Sequence, residues 1–360
     1  MKKHKIKFKG LMGGSHSWAV VNRSLSRAAI ISENKVSISS FNGYNCYTLQ
    51  NNYIHNYIDK FIGKLDYIIS YTNPHNYSNV FSDTYGKKLA ISNYESNILP
   101  SHWSSCQGFC DEVIVNSNYS YNNFSSCGFD ESCMRVVPLG TDIARSEPAF
   151  QNDRFNFLNV SSPHSRKNID QVLRCYYKAF SAKDLVMLTI KTSKPDKISH
   201  FNVDVFNIIK EVQENLSFSE FPDVQVIVDD VDDMSGIYSS CDALVSCSSS
   251  EGFGLPMLEA RCLGLEVIAP NYSGHTDFLN RDNSILVDAI EFSLPKEYQY
   301  WHFSKDAVGA KVSDDDVVSS MRVIYNGYRS ENTIDGSEYS WDNILEKVIG
   351  HDEKNEGGKP

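Results

Sequence analysis

Residues 243–260, ALVSCSSSEGFGLPMLEA, constrain the fold of this chain more than any other stretch. Ala243, Leu244, Val245, Ser246 and Cys247 make a short apolar run of the kind buried in a parallel sheet. Three serines follow, then Glu251, Gly252, Phe253 and Gly254, then Leu255 and Pro256. Proline is favoured at the first helical position, where its missing N–H costs nothing. Met257, Leu258, Glu259 and Ala260 continue as good helix formers. The order is strand, glycine-containing loop, helix, a unit from which ligand-binding α/β folds are built. Unpaired N–H groups and the helix dipole make such a helix start an anion site. Gly252 and Gly254 let the backbone come close to a ligand.

Two acids sit on this element, Glu251 in the loop and Glu259 about one turn into the helix. Carboxylates this near a bound phosphate would repel it. They suit hydroxyl groups better, one for a sugar and one for a ribose diol. Their plainer role is that of solvated first-turn acids complementing the dipole. The whole string, EGFGLPMLEA followed by RCLGLEVIAPNYSGHTDFL, resembles the signature of the GT-B glycosyltransferases of family 4, which carries two glutamates separated by seven residues. The resemblance implies that Glu251 contacts a donor sugar and Glu259 a ribose. It also implies that the loop backbone of Gly252, Phe253, Gly254 and Leu255 contacts sugar and diphosphate.

The fold implied is α/β of the GT-B type: two Rossmann-like domains whose parallel sheets face each other across a cleft, with a C-terminal helix crossing back to the N-terminal domain. A chain of 360 residues is long enough for two such domains. Residues 1–145 are expected to form the acceptor-binding domain and 154–330 the nucleotide-sugar domain. Residues 331–350 then carry the returning helix, and the tail 351–360 is expected to be disordered. Residues 143–154 are polar, contain Pro148 and read as the linker. The match is close over 155–325 and looser over 1–142, as a common donor and a particular acceptor would require.

Composition excludes several classes. No apolar run reaches the roughly 18 residues of a membrane span. The basic start, MKKHKIKFKGLMGG, lacks the apolar centre of a signal peptide; Ile6 and Phe8 alternate with lysines as in a first strand. Nine cysteines, an odd number scattered without a framework, read as reduced thiols in a cytoplasm. Cys106 and Cys110 lack a second ligand pair and read as buried thiols before zinc. Charge is uneven. Residues 1–110 hold ten Lys, two Arg and five acids, a net of +7, in a chain whose net is −11. The basic half therefore suits an anionic partner, or presents a solvated lysine surface.

Along the chain, 5–11 reads as a first strand running into Met12, Gly13, Gly14, Ser15 and His16, and Trp18, Val21, Leu25, Ala28 and Ala29 keep helical spacing. The resemblance places Gly13 and Gly14 near the donor phosphates; alone, the pair is a turn. Further strands are expected at 35–40, 67–71, 89–92, 112–115 and 135–137. Residues 45–65, rich in Tyr and Asn, have no clear placement. Polar residues at the carboxyl ends of parallel strands are where α/β sheets bind ligands. His16, His75, Asn93, Tyr94 and Glu95 are therefore acceptor-side candidates, each with a structural role as its alternative. Strand 155–160 leads into Ser161, Ser162, Pro163, His164, Ser165, Arg166 and Lys167, before a helix over 169–180. Two cations there are well placed for a diphosphate, arginine as a fork and lysine as a point charge. The family carries a basic pair at this place; Ser162 joins it as a donor-side residue. Strands at 185–190, 224–228, 266–269 and 284–287 follow, with helices near 237–241, from 313, and over 341–348. In the family the loop of Asn271, Tyr272, Ser273, Gly274 and His275 borders the donor pocket.

The implied reaction moves a sugar from a nucleoside diphosphate sugar to a hydroxyl acceptor, with retention at the anomeric carbon. Arg166, Lys167 and the helix start near Pro256 would stabilise the leaving diphosphate, and Glu251 would orient the sugar. These three side chains are the catalytic candidates. The resemblance implies no protein nucleophile, no cofactor and no required metal. The acceptor expected is a glycan or lipid-linked glycan at the cytoplasmic face of a membrane, touched peripherally by the basic half. Two alternatives stand: transfer to an anionic polymer such as hydroxymethylated DNA, and binding of nucleotide sugars without turnover. A metal-dependent reading rests on Asp230 and Asp232, whose spacing is that of an acid pair in GT-A transferases, but they follow a strand and precede a helix, and loop and helix-start acids explain them without metal.

Overall fold

Apolar runs too short for helices, buried on both faces, become the inner strands of parallel sheets. This happens twice in the chain. The computed structural model describes residues 3–14, 17–40, 52–82, 85–151, 153–193, 204–229, 231, 233–295, 304 and 306–350. It divides into one unit of Met1–Asp142 with Ser337–Pro360 and a second of Ile143–Gly336. His16, Asp230, Asp232, residues 41–51 and the tail 351–360 lie outside the described residues.

In the first unit, β1 (Lys5–Lys9), α1 (Ser17–Ile31), β2 (Lys35–Ser39), β3 (Tyr67–Tyr71), α2 (Tyr77–Phe81), β4 (Lys87–Ser92), β5 (Glu112–Val115), α3 (Asn118–Ser126) and β6 (Met134–Val136) follow in order. The sheet runs β2-β1-β3-β4-β5-β6 and every pairing is parallel. β3 and β5 are buried throughout, whereas β1 buries Ile6 and Phe8 and leaves its lysines partly exposed. The alternation seen in the sequence is thus real. Asn22, fully buried on α1, ties the ligand end together. Its amide nitrogen donates to the carbonyls of Leu11 (3.2 Å), Trp18 (3.0 Å) and Tyr71 (3.1 Å), and its oxygen accepts from the Tyr71 N–H (2.9 Å).

In the second unit, β7 (Phe155–Val160), α4 (Ile169–Ala179), β8 (Val186–Lys191), α5 (Val205–Leu216), β9 (Asp223–Ile227), α6 (Ser235–Ser239), β10 (Ala243–Val245), α7 (Leu255–Cys262), β11 (Glu266–Pro270) and β12 (Ile285–Val287) build a parallel sheet in the order β12-β11-β10-β7-β8-β9. The antiparallel ribbon β13 (Ala289–Ser293) and β14 (Val308–Val312) precedes α8 (Asp314–Tyr325). The core packs α4 and α8 on this sheet through Val172, Leu173, Tyr176, Val317, Met321 and Ile324. The last helix, α9 (Trp341–Ile349), belongs to the first unit. It buries Trp341, Ile344, Leu345 and Val348 and packs on α1. Arg135 donates to the carbonyls of Lys347 and Val348, capping its C-terminus.

Most strand limits fall within two residues of those expected from sequence. Two features go beyond the sequence reading. The helix α5 is an addition to the expected elements; Val205, Ile208, Ile209, Val212 and Leu216 give it helical spacing. The ribbon β13–β14 pairs only with itself and leaves most of β13 exposed or half-buried, so it carries no apolar run to mark it.

An Asn22→Leu variant should lose about 2–4 kcal/mol of stability, because it leaves a buried N–H and buried carbonyls without their partner. Urea unfolding followed by far-UV circular dichroism checks this. A loss below about 0.5 kcal/mol would mean that Asn22 is not the tie described.

Candidate active site

The strand order of the second unit reverses between β7 and β10, the central pair. In open α/β sheets ligands bind outside the carboxyl ends of the strands at such a switch point. The loops that leave β7 and β10 carry Ser162, Arg166 and Lys167 on one side and Ser246 through Leu255 on the other. The fold therefore brings together two stretches 80 residues apart in sequence.

Asn168 joins them. It sits at φ 49° just before α4, a left-handed conformation that asparagine tolerates. Its amide nitrogen donates to the Cys247 carbonyl (2.8 Å) and the Ser249 hydroxyl (2.9 Å). The Ser249 N–H donates to the Arg166 carbonyl at 2.9 Å. Arg166 is only 5% exposed. Its guanidinium donates to the Ser250 carbonyl and lies 3.4 Å from one Glu251 oxygen; the Lys167 ammonium bonds the other.

The Glu251 backbone is held as well. Its N–H donates to the Ser273 hydroxyl (2.9 Å), and its carbonyl accepts from the Gly274 N–H (2.9 Å). Burial alone would raise the Glu251 carboxyl, but Lys167 and Arg166 outweigh it and hold the group well below the usual carboxylate range. Nearby His164 is pushed well below its ordinary value, first by burial and then by the same two cations. It is a neutral imidazole beside a charged trio.

Two glycines are needed here. A Cβ on Gly274 would stand 2.3 Å from the Gly252 carbonyl oxygen. Gly254, at φ 96°, caps the start of α7, and a Cβ there would stand 2.9 Å from that of His275. α7 starts at Leu255, so Pro256 occupies its second position and not the first, as the sequence suggested. The first turn still tolerates it, because no intrahelical N–H is lost. Phe253 is buried and packs on Phe278 at 5.0 Å between ring centroids, so only its backbone is available to a ligand. Ser162 is exposed. Glu259 accepts from the Tyr238 hydroxyl at 2.7 Å; burial pushes its carboxyl up to about 7, and that hydrogen bond works the other way.

In the first unit, the acceptor-side candidates follow β3 and β4, which are neighbours. The buried Tyr71 phenol is raised well above its ordinary value by burial and then by Glu95, and Asn93 hydrogen-bonds to it. Trp103 meets Tyr94 edge-on at 4.9 Å and His75 at 5.7 Å. Burial, and then His102, lower His75. Asn93, Glu95, Tyr94 and His75 thus share one neighbourhood through Tyr71 and Trp103. Tyr94 is 3% exposed, so its ring is part of the packing there. At the end of β1, the Arg23 guanidinium donates to the carbonyls of Met12 (2.9 Å) and Gly14 (2.8 Å), which fixes the turn that holds Gly13 and Gly14. Among the described residues no group of three or more His, Cys, Asp or Glu could hold a metal ion. Among the described residues no helix is long and apolar enough to cross a membrane.

Sequence reasoning passed over Asn168, Ser248, Ser249, Tyr238 and the individual bonds of Ser273 and His275. One signal was present: three consecutive serines between a strand and a glycine loop have no place in a core unless other polar groups meet them. Ser248, Ser249 and Ser250 are all buried.

Residues 210–289 match the family described as Glycosyl transferases group 1. That span contains Glu251, Gly254 and Glu259. The D-inositol 3-phosphate glycosyltransferase of Corynebacterium urealyticum is 29% identical over 119 residues, which are 33% of this chain and 24% of that protein. The aligned part is thus about a quarter of the curated relative's length. Two solved structures superpose along nearly the whole chain. Sucrose-phosphate synthase from Thermosynechococcus elongatus gives a TM-score of 0.69 at 12% identity, covering 99% of this chain and all of that one. Anabaena Alr3699/HepE, solved in complex with UDP-glucose, gives 0.64 at 12% identity, covering 98% and 100%. At such identities the likeness establishes the fold, which is GT-B: two α/β units, each with a six-stranded parallel sheet.

The raised Glu259 carboxyl has a pH signature. Its value in the fold, about 7, lies above the ordinary 4.5, so folding favours the protonated form. Stability from this group is full below about 4.5 and falls as pH rises towards 7. Glu259→Gln keeps an acceptor for Tyr238 but removes the titration. Going from pH 5 to pH 8, the wild type should lose about 1–2 kcal/mol more than the variant, read as a drop in melting temperature of several degrees. Parallel pH profiles would refute the assignment.

Proposed function

We propose that this chain, a GT-B protein resembling the family 4 glycosyltransferases and carrying a glycosyl transferases group 1 match in its second unit, moves a sugar from a nucleoside diphosphate sugar to a hydroxyl acceptor. The observation that carries this reading is the convergence of Arg166, Lys167 and Glu251 at the β7–β10 switch point beside the start of α7. Two cations and a helix N-terminus suit a diphosphate leaving group. A carboxylate with no proton to give suits a sugar hydroxyl, which needs an acceptor.

The chemistry follows from these parts. The bond between the anomeric carbon and the diphosphate oxygen lengthens, and charge grows on that oxygen, where Arg166 and Lys167 stabilise it. The acceptor hydroxyl attacks from the same face and its proton passes to the departing phosphate oxygen, so configuration is retained. Glu251 and the backbone of Gly252, Phe253 and Gly254 orient the sugar. Glu259 takes the ribose hydroxyls. The cations and the helix dipole fill the place a metal would take, so no metal is required in this reading. Because Glu251 already holds both cations, an arriving diphosphate shares them with it; the buried pair is a preformed clamp and not a stabilising bridge. The UDP-glucose bound by Anabaena HepE makes UDP-sugars the first donors to test. The acceptor proposed is a glycan or lipid-linked glycan, met by His75, Asn93 and Glu95 in the first unit.

The test is calorimetric titration of UDP, GDP and ADP and their sugar conjugates in the presence of a chelator, followed by transfer assays with the donor that binds. Lys167→Ala should weaken diphosphate binding by about 1.5–3 kcal/mol, the range for a charged hydrogen bond. Glu251→Ala should abolish transfer while retaining nucleotide affinity. Nucleotide affinity unchanged in Lys167→Ala, or full transfer by Glu251→Ala, would remove the basis for this reading.

A further inference from the structure

Among the described residues of the first unit four large apolar side chains are exposed, and all four lie at one end of its sheet. Ile31 (59%), Phe61 (92%), Tyr85 (85%) and Phe109 (41%) stand in the segments that lead into β2, β3, β4 and β5. That is the amino end of the parallel strands, opposite the ligand end. These strands and β1 between them are adjacent in the sheet, so the row extends over roughly 19 Å.

Lysines crowd the same rim. Lys3 and Lys5 lead into β1, Lys35 opens β2, Lys60 and Lys64 precede β3, and Lys87 and Lys88 open β4. Among the described residues at the entries of β1 to β5 the acids are Glu33, Asp59, Asp66 and Asp111, with Glu112 opening β5. Asp66 is engaged by the Lys5 N–H at 2.8 Å, and Glu33 pairs with Lys3 at 3.1 Å. Asp111 accepts from the Lys88 N–H at 2.7 Å and Glu112 pairs with Lys87 at 3.4 Å. Lys3 and Lys87 are thus already paired, and Lys35, Lys60 and Lys64 carry the charge of the rim. Beside Phe61 lies a depression of about 560 Å³ lined by Lys35, Val36, Tyr57, Lys60 and Ile62. The Lys60 ammonium sits 5.3 Å from the Tyr57 ring centre, and the Lys5 ammonium closes over Gly63. The amino rim of the second unit is unlike it. There Asp153, Asp184, Glu220 and Asp242 outnumber Arg154 and Lys183.

We propose that this rim of the first unit docks on an anionic lipid surface, with Phe61 and Tyr85 entering the headgroup layer and the lysines facing lipid phosphates. Single aromatic rings presented on separate loops suit the membrane interface. A cationic row around them suits an anionic leaflet, where each basic residue adds attraction that salt screens. The match is of charge and of place: the row follows the amino ends of adjacent strands.

The experiment is sedimentation of the full chain with phosphatidylcholine vesicles, with and without phosphatidylglycerol, at low and high salt. Binding is expected only with phosphatidylglycerol and should weaken as salt rises. Phe61→Ser with Tyr85→Ser, and separately Lys60→Ala with Lys64→Ala, should each weaken binding roughly tenfold or more. All four side chains lie outside the candidate site, and an unchanged far-UV circular dichroism spectrum and thermal unfolding profile check that the first unit of the variants is folded. Absence of binding to anionic vesicles, or equal binding by folded variants, would overturn the proposal. Light scattering that shows a dimer in the wild type and a monomer in Phe61→Ser would overturn it too, since the rim would then cover a second copy of the chain.

Discussion

The Glu251 carboxylate, held between Arg166 and Lys167, is the interaction on which the second unit's ligand end depends. A carboxylate buried without partners would take up a proton; with two cations beside it, it keeps its charge. The pairing joins the loop after β7 to the loop after β10, and the Ser273 hydroxyl and the Gly274 N–H join the loop after β11 to the backbone of Glu251. Three strand ends are thereby fixed relative to one charged group. Removing either cation leaves the other to compensate. Removing the carboxylate leaves two buried cations facing each other, the costlier change.

Much of this was legible in the sequence because both levels of the code agree there. The apolar run at 243–247, the glycines at 252 and 254 and the proline at 256 announce strand, loop and helix by local chemistry. Gly254 does adopt the positive φ that only glycine reaches easily. Arg166 and Lys167 were visible as cations between a strand and a helix. Their common partner was not, since no local rule joins residues 166 and 251. That contact depends on the strand order, which places β7 beside β10 although two strands, β8 and β9, separate them in sequence.

The unread parts have different causes. The helix α5 has a clear apolar period, but a long polar approach to it hid its start. In the ribbon, β13 buries no residue fully and β14 buries Gly309, Ala310 and Val312, too short and broken a run to leave a pattern, yet the ribbon touches the site: the Ala310 N–H donates to the Ser249 carbonyl at 2.8 Å. Asn168 stands where local rules expect a helix-capping asparagine. Its side chain turns away from the usual capping bond and spans the two loops instead. In the first unit the polar residues at strand ends were readable as a class. That Tyr94 would be packed against Trp103 was not, because burial at a strand end is decided by which loop folds over it.

A parallel sheet has two unlike ends, and in the first unit they face different tasks. The lysine row and the exposed rings occupy the amino end; Asn93 and Glu95 follow the carboxyl end of β4. A strand of six residues separates them by roughly 20 Å. If the amino end rests on lipid, the acceptor end stands at that height above it. A single sugar on its lipid carrier would lie too low to reach. An extended glycan would present its growing tip at the right level, so the length of one β-strand would act as a ruler for the size of acceptor the chain can serve.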